Sequence, residues 1–150
     1  MKKFLIIIVS LLCCNISLAN NLKIVDGDTI VLNGEKIRFS GIDTPELKQT
    51  CLHNNEIVDC GMSAKILLIK KIGNKTPECI SEGKDVYNRT LAECFINGKS
   101  LSKFLVRSGY AFAYRKYSKK FIEDEDFARS NNLGMWSMKF EYPWDWRKKN

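Results

Sequence analysis

Three short clusters in this chain hold residue types suited to phosphate chemistry. Asp26-Gly27-Asp28-Thr29 places two carboxylates at one turn, and Asp43-Thr44-Pro45-Glu46 places two more at another, with Arg38 five residues ahead of Asp43. Tyr87-Asn88-Arg89 sets an arginine beside an aromatic ring. Cleaving a phosphodiester means attacking an anion and stabilising a transition state that carries more charge, so a site needs fixed cations and a group that prepares water. If the two acidic turns adjoin, Asp28 and Asp43 can share a calcium-sized ion together with the Thr44 carbonyl, because calcium accepts mixed oxygen ligands in flexible geometry. Guanidinium forks such as Arg38 and Arg89 give bidentate phosphate contacts that lysine cannot reproduce. An odd spacing puts Arg38 and Asp43 on opposite faces of a regular strand; a shared site requires a bend, which Gly41 can supply. Each cluster also has an ordinary structural reading: Asp-Gly marks hairpins, Thr-Pro-Glu opens helices, and a lone arginine is commonly a surface residue.

The elements that must position these clusters begin with strands. "LKIVDGD", "TIVLNGE" and "KIRFSGI" are β-branched runs separated by Asp-Gly and Asn-Gly turns, the pattern of a tight antiparallel meander. In "GMSAKILLIKKI", residues 61–72, the period changes, with Met62, Ile66 and Ile69 marking one helical face and lysines opposite. Two more strands are expected over 76–81 and 89–96. Ser100 then caps a helix through "SLSKFLVRSG" that Gly109 stops, and residues 121–131 form a third, charged helix. Five short strands interleaved with helices predict an α+β fold, a small barrel of the oligonucleotide-binding (OB) type closed partly by its helices.

The start of the chain bounds where this domain works. Lys2 and Lys3, the apolar run Phe4 to Leu12 and Ser17-Leu18-Ala19 make residues 1–19 a secretory signal peptide with a cleavable end. The run is far shorter than the roughly 20 apolar residues of a membrane span. Cys13 and Cys14 raise a lipoprotein reading, weakened by Leu12 where a small residue would precede the acylated cysteine. Residues 20–150 then form one domain with a single core. Loss of Lys2 and Lys3 takes the formal charge from +7 to +5, which suits an anionic partner such as nucleic acid. Cys51, Cys60, Cys79 and Cys94 remain, an even number that reads as two disulfides in an exported domain. Of three connectivities, Cys51 with Cys60 and Cys79 with Cys94 is favoured, the second joining neighbouring strands. Zinc is set aside because no CxxC spacing occurs and His53, the single histidine, reads as an ordinary loop residue.

Taken in order and spacing, "DGDT", Arg38 with "DTPE", "YNR", "LVRSGYAFAYRKYS", "EDEDFARSNNLGMWS" and "PWDWR" resemble the staphylococcal nuclease (thermonuclease) family, in its exported, disulfide-containing branch. The resemblance covers nearly all of residues 20–150. It implies a five-stranded barrel with three helices and calcium-dependent hydrolysis of DNA and RNA to 3′-phosphorylated products. Asp28, Asp43 and the Thr44 carbonyl match the calcium ligands, Glu46 the residue that orients or deprotonates water, and Arg38 and Arg89 the pair on the scissile phosphate. Tyr87, Tyr114 and Tyr117 match nucleotide-flanking tyrosines, and Asp26 is expected either to shape the turn or to support the ligands from behind them. Val86 departs from a family lysine, Asn88 from a glycine, and the Cys51 to Cys60 loop from a lysine-rich one. The expected partners are single-stranded DNA and RNA as substrates, with no stable protein partner and no membrane after cleavage. The expected species is a monomer in the periplasm or outside the cell. The competing classes are a nucleic-acid-binding barrel without catalysis and a basic protein that binds another polyanion.

Overall fold

The computed structural model describes residues 21–150. The signal peptide expected over residues 1–19, with Cys13 and Cys14, lies outside them. β1 (Leu22–Ile24), β2 (Thr29–Leu32) and β3 (Glu35–Phe39) form the expected antiparallel meander. Asn33 and Gly34, at φ 52° and 86°, make the two-residue turn between β2 and β3, a left-handed pair whose twist suits the flanking strands. After β4 (Ile42–Asp43) come a hairpin of β5 (Cys51–His53) and β6 (Glu56–Val58), then α1 (Cys60–Ile72), β7 (Glu78–Lys84), β8 (Thr90–Ile96) and β9 (Lys99–Ser100). The chain continues through α2 (Leu101–Arg107), β10 (Phe112–Ala113), α3 (Ile122–Ser130), a 3-10 turn at Gly134–Ser137 and α4 (Pro143–Lys149).

β3 leaves the meander to pair in parallel with β8, setting Arg38 opposite Leu91, and β8 pairs antiparallel with β7. The strand order β1-β2-β3-β8-β7, with β9 on β8, curls into a half-barrel of the expected α+β, OB-like type. Its core gathers Ile30, Ile37, Phe39 and Ala92 of the sheet with Leu68 and Ile72 of α1 and Leu101 and Leu105 of α2. Each large side chain buried there contributes about 1.5–3 kcal/mol. The Ser100 hydroxyl accepts the Lys103 N–H and caps α2. Gly109 ends that helix region at φ 77°.

The structure corrects three expectations. Four α-helices are present among the described residues where three were expected, because the aromatic, basic stretch after Pro143 has no apolar period yet starts with proline at its first turn. His53 lies in β5 and not in a loop, since Asn54 and Asn55, both at positive φ, form the turn of the β5–β6 hairpin. On α1 the inward face is Cys60, Gly61, Ala64, Leu68 and Ile72, while Met62, Ile66 and Ile69 are 39–44% exposed. Gly61 explains the choice of face: a Cβ there would stand 1.8 Å from the Glu46 carbonyl oxygen, so α1 presses its smallest residue against that backbone. Cys51 is bonded to Cys60 and Cys79 to Cys94, the latter pair directly opposite on β7 and β8.

Candidate active site

Two turns are locked together at the end of the meander. The Asp28 N–H donates to the Asp26 carboxylate at 3.0 Å, which shapes the turn leading into β2. The Thr44 N–H in turn donates to Asp28 Oδ2 at 3.2 Å, joining the segment after β4 to the turn before β2. Gly27 permits that approach, because a Cβ there would lie 2.9 Å from the Thr44 hydroxyl. Gly41, at φ 72°, makes the bend between β3 and β4 that a shared site required. Arg38 thereby reaches both acidic turns: Nη1 donates to Asp28 Oδ1 at 2.9 Å and Nη2 to Asp43 Oδ1 at 2.8 Å. Both carboxylates are buried, Asp43 fully.

Glu46 stands beside this pair on a braced loop. Its N–H donates to the Gln49 side chain and its carbonyl accepts the Gln49 N–H. Gln49, wholly buried, also donates from Nε2 to the Glu141 carbonyl and accepts the Gly61 N–H. This glutamine links the Glu46 loop to α1 and to the C-terminal segment. Arg147 of α4 completes the cluster, with Nη2 donating to Asp43 Oδ2 at 2.7 Å and Nη1 to Glu46 Oε1 at 2.6 Å and Asp43 Oδ1 at 3.2 Å. The structure brings Asp26, Asp28, Arg38, Asp43 and Thr44 together, with Glu46 joined to Asp43 through Arg147, which the sequence had not pointed to.

Arg89 and Tyr87 belong to a separate turn organised by Asp85. Asp85 accepts the backbone N–H groups of Tyr87 and Arg89, each at 2.9 Å, and Arg89 Nε at 2.6 Å. Desolvation raises the Asp85 carboxyl, but the hydrogen bonds from Arg89 and Tyr87 and the Arg89 charge together outweigh it and hold the carboxyl below its ordinary range. Asn88 takes the left-handed conformation there, φ 61°, in the place of the family glycine. Tyr87 is 78% exposed, and the Arg89 guanidinium lies 5.5 Å from its ring centre. Tyr114 donates its N–H to the Gly41 carbonyl, meets Tyr117 edge-on at 4.9 Å and lies parallel to Trp144 at 6.0 Å. Tyr114, Tyr142 and Trp144, with Arg115, Arg129 and Lys148, line an open cavity of about 770 Å³. Tyr117 is 70% exposed at the surface nearby.

The charges are unevenly balanced. Burial pushes the Asp28 carboxyl up to about 7, the nearby Asp26 and Asp43 charges add to the rise, and Arg38 and the Thr29 hydroxyl pull against it. Burial pulls the Arg38 and Arg147 guanidiniums down, but their carboxylate partners outweigh it and hold both above the ordinary arginine value. Among the described residues no group of three or more His, Cys, Asp or Glu side chains forms a metal cluster. Asp28, Asp43 and the Thr44 carbonyl are an all-oxygen donor set in which a buried carboxylate is poorly compensated, and that set fits a hard cation in kind.

Gln49, Asp85, Trp144 and Arg147 were not singled out in the sequence. Proline at the start of α4, followed by an aromatic and a basic residue three apart on one helical side, is the signal that could have drawn Trp144 and Arg147 together.

Comparison with known proteins places the assembly. The family model described as staphylococcal nuclease homologue matches residues 36–138. The chain is 30% identical over 124 residues to "Probable staphylococcal-like nuclease CAN2" of Oryza sativa subsp. japonica, covering 81% of this chain and 31% of that protein. It is 32% identical over 116 residues to "Staphylococcal-like nuclease CAN1" of Arabidopsis thaliana, covering 75% and 33%. To "Endonuclease YncB" of Bacillus subtilis (strain 168) it is 33% identical over 134 residues, covering 75% and 58%. The chain therefore spans about a third of the length of the plant relatives and just over half of the bacterial one. With the family model matched across the span from Lys36 to Met138, which holds Arg38, Asp43, Glu46 and Arg89, this chain belongs to the staphylococcal nuclease homologue family.

Proposed function

We propose that this protein is an exported, calcium-dependent nuclease that hydrolyses single-stranded DNA and RNA and leaves 3′-phosphorylated ends. The observation that carries the reading is the convergence of Asp28 and Asp43 on Arg38 across the bend at Gly41, with Glu46 joined to Asp43 through Arg147. Membership in a family whose relatives bear nuclease and endonuclease names supports the reaction class.

Asp28, Asp43 and the Thr44 carbonyl would hold the cation, which when bound supplies positive charge against the phosphate oxygens. Glu46 Oε accepts a proton from water as the water oxygen forms its bond to phosphorus. The bond from phosphorus to the 5′-oxygen breaks, that oxygen takes up a proton from solvent water, and the phosphate stays on the 3′ side, Glu46 returning its proton to solvent. Arg38 and Arg89 bind the phosphate, Arg89 after exchanging Asp85 for the substrate oxygens. The exposed rings of Tyr87 and Tyr117, with Tyr114, offer faces on which unpaired bases stack irrespective of sequence. The lysine-flanked apolar run within residues 1–19, expected from the sequence to be a signal peptide, supports export to the periplasm or beyond, and the working species is a monomer without a stable protein partner.

A second reading, nucleic-acid binding without cleavage, is favoured by one arrangement: Arg147 engages Asp43 and Glu46, and Asp85 engages Arg89. Incubation of the oxidised protein with single-stranded DNA and RNA, in calcium, magnesium or chelator, separates the two. The nuclease reading expects cutting in calcium, none in chelator, and 3′-phosphates on the fragments. Tight binding with intact strands in every ion would leave the binding barrel.

A further inference from the structure

The C-terminal helix delivers a guanidinium to two carboxylates that lie more than a hundred residues earlier in the chain. Both oxygens of Asp43 are engaged by arginine: Oδ2 by Arg147 at 2.7 Å, and Oδ1 by Arg38 at 2.8 Å and Arg147 at 3.2 Å. The same Arg147 fork bridges to Glu46. Bidentate, charge-assisted contacts of this kind are shorter and stronger than neutral ones, and here one acceptor is fully buried.

The mounting of α4 makes this placement specific. Trp144, three residues before Arg147, stacks on Tyr142 at 4.6 Å and meets Phe112 edge-on at 6.0 Å. Phe112 is fully buried and sits opposite Asp43 in the β10–β4 pair. The strand that partners Asp43 therefore carries the aromatic seat for the helix that bears Arg147. The Glu141 carbonyl, tied to Gln49, fixes the approach of the same segment.

A calcium ion takes a carboxylate oxygen at about 2.3–2.6 Å. At Asp43 it would meet a guanidinium within a few Å, and two like charges at that range oppose each other, the more so because the carboxylate they share is buried although Arg147 itself is partly exposed. Resting on the calcium reading above, we propose that Arg147 is a positioning residue that holds Asp43 and Glu46 together and competes with the divalent cation for Asp43. Loading of the ion draws Arg147 off Asp43 and shifts α4 on its aromatic seat.

The test is calcium binding to the oxidised full chain by titration calorimetry, without nucleic acid, for wild type, Arg147→Ala and Arg147→Lys. Competition predicts that Arg147→Ala binds calcium about tenfold more tightly or better, with Arg147→Lys between, because a lysine keeps the charge but not the fork. Tryptophan fluorescence, which Trp144 and Trp146 report from α4, should change on calcium addition in wild type and change less in Arg147→Ala. Equal or weaker binding by Arg147→Ala overturns the proposal, since loss of a purely structural contact loosens the site. If that variant fails to show native near-ultraviolet dichroism, the Arg147→Lys comparison decides in the same direction. No calcium binding by any of the three chains overturns the calcium reading itself, whereas equal binding by all three overturns the competition alone.

Discussion

Asp28 shows most directly how the cluster trades stability for function. Its carboxyl is pushed from the ordinary 3.8 to about 7 by burial that the Arg38 pair does not fully offset. A raised carboxyl favours the folded state while protonated, so this stabilisation is complete below about pH 4 and is lost as the pH climbs through 7. In chelator, wild type should therefore lose about 2–3 kcal/mol relative to Asp28→Asn between pH 5 and pH 8, read by denaturant unfolding at each pH. Parallel curves for the two chains would contradict it. At this scale Asp28, Arg38, Asp43 and Glu46 were legible as residue types suited to a cation and a phosphate, their joint roles came from the resemblance of the motifs to the staphylococcal nuclease family, and the odd separation of Arg38 and Asp43 is met by the bend at Gly41. Arg147 and Gln49 were not legible: a contact across about a hundred residues leaves no local pattern, and a glutamine in a loop reads as surface until Glu46, Gly61 and Glu141 are seen around it.

At the scale of the elements, the site depends on how α1 meets the Glu46 loop. Gly61 brings the first turn of α1 against the Glu46 and Leu47 backbone, where no side chain fits. Gly61→Ala forces the helix and the loop apart. A loss of about 3 kcal/mol or more is expected by denaturant unfolding, together with weaker cleavage, because the loop displaced is the one that carries Glu46. A change under about 0.5 kcal/mol would show that the contact yields easily. The same glycine explains why the α1 stripe was misjudged. The helix has two apolar stripes, and periodicity alone ranks the bulkier Met62, Ile66 and Ile69 above Ala64, Leu68 and Ile72, whereas packing chose the stripe that continues from the small residue. β1 to β3 were legible from β-branched runs and their turns, and β7 and β8 as two strands around a turn, although β7 runs on to Lys84 past the expected end at 81. β4 and β10, two residues each, are too short to have a period, although they hold Asp43 beside the aromatic cluster.

At the scale of the molecule, the half-barrel holds the ends of β3 and β8 in parallel register, while the C-terminal segment wraps back to the site. The fold class was legible because meander, helix and strand patterns all agree with one architecture, and the family's motifs span most of it. The final helix was not expected because its contribution is tertiary: it takes shape on Phe112, Tyr142 and Gln49 rather than from its own period. The most direct test of the account compares single-stranded DNA cleavage by wild type and Glu46→Gln, in calcium, with DNA affinity measured alongside. Glutamine keeps the size and the hydrogen-bonding reach of Glu46 but cannot take the proton from water. The account predicts that the cleavage rate falls by about 10²–10⁴ while DNA affinity stays within a few-fold. An unchanged rate would contradict it and move the attack on phosphorus to another part of the molecule.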